Sequence, residues 1–116
     1  MLTLLLSKFG DFMRLPWFAA LVTGPSMTPT LRAGDRIMVR RTDTAAQGDV
    51  VVARFRSRPE LLVVKRVVRR DGDGWWVQGD NAFVEDDSRR YGRADILGRV
   101  TFRWWPQPVR FRRSRA

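Results

Sequence analysis

From residue 20 onward, short apolar runs alternate with turns rich in Gly, Pro and Asp, a pattern typical of a β protein. Strands are predicted near residues 20–23, 36–40, 49–55, 61–69, 75–78 and 96–104. The segment 71–74, Asp-Gly-Asp-Gly, should join the fourth and fifth of these as a hairpin. Strands of this length with short connections predict a mainly β fold, a coiled antiparallel sheet or open barrel.

The first 19 residues carry a different pattern. Their apolar side chains recur at helical spacing and predict a short amphipathic helix, which would lie on the core or on a membrane surface. These side chains are Leu2, Leu5, Leu6, Phe9, Phe12 and Met13. Charged residues, Gly10 and Pro16 interrupt the segment, so a transmembrane helix is not expected. We therefore divide the chain into an N-terminal segment (1–19), a catalytic-type domain (20–107) and a basic tail (108–116).

Composition narrows the chemistry. A chain of 116 residues has room for one domain and one modest core. It contains no cysteine and no histidine, which excludes thiolate chemistry, Ser-His-Asp triads and the common histidine-containing zinc sites. Its net charge of +10 predicts attraction to nucleic acid or to an anionic membrane face. Only Lys8 and Lys65 among its 22 basic residues are lysine, the basic side chain that can lose its proton when desolvated.

A loop with two prolines holds one serine. Gly24, Pro25, Ser26, Met27, Thr28, Pro29 and Thr30 follow one another between a predicted strand and a Gly-Asp turn. A fixed, exposed serine with a free backbone N–H is what acyl transfer requires. Taken alone, the same sequence is more often a simple turn.

A lysine interrupts the most apolar predicted strand. Alternation places Lys65 on the same face as Leu61, Val63 and Val67. It is either a snorkelling side chain on an edge strand or an amine whose pKa is lowered by burial, so that it serves as a general base near neutral pH.

A polar cluster follows the next predicted strand. It consists of Gly79, Asp80 and Asn81, and then of Glu85, Asp87, Ser88, Arg89 and Gly92. Without other context, this cluster indicates a solvated loop held by an ion pair between Asp87 and a neighbouring arginine.

In this order, the three segments resemble the type I signal peptidase family of Ser/Lys serine endopeptidases. The resemblance covers roughly residues 20–105 and implies that Ser26 attacks the scissile carbonyl while neutral Lys65 takes its proton. It further implies an oxyanion hole that includes the backbone N–H of Ser26. Supporting positions are implied at Arg66, Gly79, Asp80, Asn81, Asp87, Ser88 and Arg89, and no metal or cofactor is implied.

Two positions depart from the family pattern. Gly24 stands where some members place a hydroxyl donor two residues before the nucleophile. Glu85 stands where a serine often lies near the lysine, and a carboxylate facing Lys65 would favour the ammonium. Either Glu85 points to solvent or the base is weaker than usual.

The missing anchor and the short spacing between Ser26 and Lys65 resemble the branch that matures nickel-type superoxide dismutase. A cytoplasmic enzyme is then expected, acting on a precursor with a short N-terminal extension. One alternative is a signal peptidase at the inner face of the membrane, held by the N-terminal helix and by Trp17, Trp104 and Trp105. Another is a nucleic-acid-binding β-barrel, which the many arginines and five tryptophans favour, although nucleic acid is not the expected partner. The self-cleaving repressors share the Ser/Lys dyad, but their motifs fit less well.

Overall fold

The computed structural model describes residues 2–4 and 16–112 as one mainly antiparallel sheet. Its strands are β1 (Leu2–Leu4), β2 (Trp17–Val22), β3 (Arg36–Arg41), β4 (Val50–Phe55), β5 (Arg58–Asp71), β6 (Gly74–Gln78), β7 (Ala94–Trp105) and β8 (Val109–Arg110). A single short helix, α1 (Ser88–Tyr91), is seen among the described residues. The predicted fold class is confirmed.

The strand order is β1-β2-β3-β7-β4-β5-β6, with β8 added beside β7. One further bridge, between Trp75 and Ala94, brings β6 back to the start of β7. The sheet therefore coils on itself without forming a closed barrel. The predicted hairpin is also confirmed, because Asp71 pairs with Gly74 across a tight turn.

Strand β4 shows why the sheet has two apolar cores. Its residues are almost all buried, and alternate side chains enter opposite cores. Val50 and Val52 join a core built mainly from β2, β3 and the loop that follows β2. Val51, Ala53 and Phe55 join a second core with side chains of β5, β6 and β7.

Both ends of the chain differ from expectation where the structure describes them. Leu2, assigned to a predicted helix, instead lies in β1 and is 7% exposed, because pairing with Val22 satisfies its backbone and buries its side chain. The remaining helix residues Leu5, Leu6, Phe9, Phe12 and Met13 lie outside the described residues. In the predicted tail, Val109 and Arg110 pair with β7 as strand β8, and residues 113–116 lie outside the description.

Candidate active site

The loop between β2 and β3 presents Ser26. Met27 and Leu31 are fully buried in the first core and anchor the loop, and a backbone hydrogen bond joins Leu31 N to Met27 O at 3.0 Å. Thr28 N donates to Pro25 O at 3.1 Å on the other side of the serine. Ser26 is 4% exposed, and its Oγ has no hydrogen-bond partner among the described residues. A buried hydroxyl without a partner is costly in a folded protein, which marks this position as one that calls for an explanation.

Lys65 lies in the middle of β5, opposite Val51 of β4. It is 1% exposed and shares its face with Val63 and Val67 of the second core, as alternation predicts. Burial lowers the pKa of the Lys65 ammonium, because the apolar surroundings disfavour its charged form. The carboxylates of Asp87 and Asp86 act in the opposite direction. The snorkelling interpretation is therefore wrong.

Ser26 and Lys65 line the same cavity of about 420 Å³. Its other walls come from the nucleophile-type loop, from β5 and from the segment around α1; the lining residues are Thr23, Gly24, Pro25, Leu61, Val63, Val84, Asp86 and Tyr91. Ser26, whose hydroxyl has no partner in the described part of the chain, and the buried Lys65 thus line one largely apolar cleft, and no hydrogen bond joins the hydroxyl to the amine.

The segment Gly79–Asn81 fastens the serine loop from behind. Asn81 donates from its backbone N to Ser26 O at 2.9 Å and from Nδ2 to Pro25 O at 3.0 Å. Gly79 lies so close to the serine that a Cβ there would collide with the Ser26 carbonyl oxygen. Only glycine permits this approach of the two backbones.

Asp80 ties the same loop to β5. It accepts a hydrogen bond from Thr30 Oγ1 at 2.5 Å and a bidentate pair from Arg66 at 2.8 and 2.7 Å. Burial acts to raise the pKa of Asp80, but the hydrogen bonds from Arg66 and Thr30 outweigh it and hold the pKa below its ordinary value. Arg66 also donates to Gly48 O at 2.7 Å. Neighbouring residues of β5 therefore divide the work, with Lys65 facing the cleft and Arg66 holding the loop.

Asp87 connects α1 to Gly79. Its buried carboxylate accepts from Gly79 N at 2.9 Å and Arg89 N at 3.1 Å, which caps the helix, and from the Arg89 guanidinium at 2.9 and 2.7 Å. Burial acts to raise the pKa of Asp87, and these donors lower it overall. Ser88 Oγ accepts from Val77 N of β6 at 2.9 Å. Asp87 and Ser88 of the polar cluster are thus buried and join α1 to β6 and Gly79, so the cluster is more than a solvated loop.

Glu85 does not face the cleft. Its side chain is 75% exposed and lies 3.9 Å from Arg89, so it points to solvent. The acidic residue that lines the cleft is its neighbour Asp86, whose side chain is 59% exposed and pairs with Arg90 at 2.8 Å. Asp86, Tyr91 and Thr23 were not predicted as site residues. The sequence holds three acidic residues in a row at 85–87, and a loop has no periodicity that would predict which of them lines the cleft.

The other predicted loop positions fall into three groups. Gly24 and Pro25 line the cleft beside Ser26. Met27 and Thr30 anchor the loop through the core and through Asp80, while Pro29 is exposed on the loop surface.

A β catalytic domain with a serine and a buried lysine in one cleft, and without histidine or cysteine in its sequence, belongs among the serine peptidases, which are hydrolases. Comparison with known proteins specifies the family. The profile of the Peptidase S24-like family matches residues 13–101, and the chain belongs to that family.

Its relatives include mitochondrial inner membrane proteases. Subunit 1 of that protease from Xenopus tropicalis is 32% identical over 111 residues, covering 72% of this chain and 66% of the relative. The Arabidopsis thaliana subunit 1a is 32% identical over 115 residues, covering 73% and 68%, and the human subunit 1 is 30% identical over 111 residues, covering 72% and 67%. The chain thus spans about two thirds of the length of these relatives. They favour the membrane alternative over the maturation of nickel-type superoxide dismutase.

In the part of the chain that the structure describes, no helix has the length and apolar character needed to cross a bilayer.

Proposed function

We propose that this chain is a signal-peptidase-type endopeptidase that removes an N-terminal leader from precursor proteins at a membrane surface, with Ser26 as nucleophile and Lys65 as general base. The observation that carries the proposal is the buried Lys65 side chain, 1% exposed, which lines one cleft with Ser26, whose hydroxyl has no partner among the described residues. Burial lowers the pKa of Lys65 and so favours the neutral amine that this chemistry needs.

In the acylation step, Ser26 Oγ attacks the scissile carbonyl carbon and its proton passes to Lys65 Nζ. Backbone N–H groups of the serine loop, including that of Ser26, stabilise the resulting oxyanion. The intermediate collapses as the ammonium of Lys65 returns the proton to the departing amine, which leaves the acyl group as an ester on Ser26.

In the deacylation step, Lys65 takes a proton from water, and the resulting hydroxide attacks the ester carbonyl. The ammonium then returns that proton to Ser26 Oγ, and the carboxylic acid product leaves and loses its own proton to solvent. Gly79–Asn81 and Asp87 act as positioning residues in both steps, since they fix the loop on which the attack geometry depends.

Two observations support a membrane surface as the place of action. The relatives are named as inner membrane proteases. In addition, Trp17, Phe102 and Trp105 of β2 and β7 are exposed by 40, 37 and 48%. Arginines stack on two of these rings, Arg40 over Trp17 at 5.2 Å and Arg36 over Trp105 at 4.9 Å. Aromatic side chains interleaved with arginine suit the headgroup region of an anionic bilayer.

The proposal is tested with purified protein, a secretory precursor bearing its leader, and the precursor of nickel-type superoxide dismutase. Wild type, Ser26→Ala and Lys65→Met are incubated with each precursor with and without anionic vesicles, and mass spectrometry maps each new N-terminus. We expect wild type to cut the secretory precursor at one site, more readily with vesicles, and both variants to be inactive by at least about a thousandfold.

Full activity of Lys65→Met would disprove the dyad. Cleavage of the superoxide dismutase precursor alone, without help from vesicles, would return the assignment to the maturation branch.

A further inference from the structure

Phe83 is exposed to an unusual degree. Its relative exposure is 97%, whereas the other exposed large apolar side chains of the described residues lie between 37 and 48%. A phenylalanine in this state makes almost no packing contribution to the fold. Its apolar ring is therefore available to a partner.

The loop that carries Phe83 is held in place. Phe83 N donates to Asn81 Oδ1 at 2.9 Å, and Val84 N donates to Asn81 O at 3.1 Å. On the far side, Arg89 Nη2 donates to Val84 O at 3.2 Å. The ring is thus presented by a backbone that is bonded on both sides.

This loop adjoins the catalytic cleft. Asn81, two residues before Phe83, is bonded to Pro25 O and Ser26 O. Val84, the residue after it, forms part of the cleft wall. Phe83 therefore stands between a residue bonded to the serine loop and a residue that lines the cavity.

We propose that Phe83 is a substrate-binding residue outside the cleft, which packs on an apolar side chain of the precursor beyond the residues held in the cavity. The proposal rests on the proposed peptidase function and adds a second contact to it. An extended apolar stretch is the occupant to which we commit, because Val84, the neighbour of Phe83 in the chain, belongs to the largely apolar cleft wall, and N-terminal leaders carry an apolar region of about 7 to 15 residues. Such a contact would act on binding and not on the chemical step.

The test uses a quenched fluorescent peptide that reproduces the cut site mapped above, and a second peptide in which the apolar residues beyond those flanking the cut are replaced by serine. Phe83→Ala is compared with Phe83→Leu and with Val109→Ala, which removes another exposed apolar side chain, on β8. Thermal melting verifies that each variant is folded.

We expect Phe83→Ala to lower kcat/KM for the apolar peptide about tenfold, mainly through KM. The substrate would cover roughly half of the apolar surface of the phenylalanine, and the variant loses this contact. Phe83→Leu should keep most of the activity, and Val109→Ala all of it. On the serine peptide, wild type and Phe83→Ala should be equally slow, which isolates the contact as a coupling between the two changes.

An unchanged kcat/KM in Phe83→Ala, or the same loss on both peptides, would overturn the inference. So would an effect confined to vesicle binding or to self-association, which would assign the ring to a membrane or to a second copy. If wild type cuts neither peptide, or Ser26→Ala cuts them equally well, the peptidase proposal fails, and that result is distinct from a failure at Phe83 alone.

Discussion

At the scale of single residues, the electrostatic surroundings of Lys65 set the pH at which the site can work. Burial lowers its pKa, Asp87 and Asp86 raise it, and Arg89 lowers it. Only the neutral amine accepts a proton, so kcat/KM should increase with pH and level off above this lowered pKa.

Asp86→Asn should move the rising limb of the pH profile to lower pH. The substitution removes a negative charge that favours the ammonium, so the pKa of Lys65 falls and the neutral form appears earlier. The shift should be modest, since the Asp86 side chain is 59% exposed and pairs with Arg90. The measurement is kcat/KM against pH in a low-salt buffer.

Glu85→Gln is the matched control, because the Glu85 carboxylate lies next to Asp86 in the chain but points to solvent and does not line the cleft. Its profile should overlay that of wild type. A shifted pH profile in Glu85→Gln, or an unshifted one in Asp86→Asn, would contradict the assignment of Asp86 as the acidic residue that acts on Lys65.

The sequence predicts which face of β5 carries Lys65, but it does not predict how the acidic side chains of the neighbouring loop are oriented. The face of Lys65 followed from the two-residue period of a strand, since Val63 and Val67 fix which side is buried. The orientation of Glu85 and Asp86 could not follow, because it is set by the helix cap at Asp87 and by the pairing of Asp86 with Arg90. Both are contacts of a folded loop.

At the scale of elements, the approach of Gly79 to the serine loop joins two segments that are far apart in sequence. Gly79→Ala should lower the free energy of unfolding by about 1 to 3 kcal/mol, because a Cβ there must displace the Ser26 carbonyl. The displacement should also lower kcat by at least about tenfold, as expected when an attacking group is misplaced. Urea unfolding and single-substrate kinetics measure the two effects.

Gly72→Ala serves as the control for stability alone. Gly72 lies in the β5–β6 turn with a φ of 60°, and its added Cβ meets only the movable end of the Arg93 side chain. It should lose comparable stability through backbone strain and keep its kcat. If Gly79→Ala retains full kcat while losing stability, the close approach matters only for folding.

The predicted elements agree with the structure where the local sequence determines them. The β5–β6 hairpin and the strand around Lys65 were predicted correctly, since turn residues and alternation define them. Strands β1 and β8 were not predicted, because each has only two or three residues and exists through pairing with a neighbour, β2 or β7.

At the scale of the whole molecule, we expect positive charge and exposed aromatic rings to contribute jointly to membrane binding. We expect the protein to sediment with vesicles containing phosphatidylglycerol and not with those of phosphatidylcholine alone, and binding should weaken as salt is raised. The double change Trp17→Ala and Trp105→Ala should reduce binding by about tenfold or more, since two interfacial rings are lost.

Phe83→Ala should bind the same vesicles as well as wild type does, because its ring is assigned to the substrate. Equal binding to both lipids, or no effect of the tryptophan changes, would remove the support for a membrane surface. Salt-sensitive binding to single-stranded nucleic acid that survives Ser26→Ala would instead favour the nucleic-acid alternative.

The whole-molecule assignment shows what a sequence can and cannot yield. The sheet and its coiling followed from the patterning of residues 20–105, and the class of chemistry followed from the resemblance of three segments in that range to the type I signal peptidases. The precursor did not follow, since it is chosen by cleft walls and exposed surfaces such as Asp86 and Phe83, whose neighbours are fixed only in three dimensions.

The adjacency of Lys65 and Arg66 makes β5 sensitive to a slip by one position. Consider the deletion of one residue between Leu61 and Lys65. If the part of β5 that pairs with β6 keeps its register, Lys65 stays in place. A deletion absorbed toward β6 would instead move Arg66 into the place of Lys65, on the cleft face, and Lys65 into the place of Val64, in the first core. A guanidinium keeps its proton, so a chain that still folded would have no base at its centre. Length changes should therefore be tolerated best in the turn at residues 56 and 57, which lies outside β5.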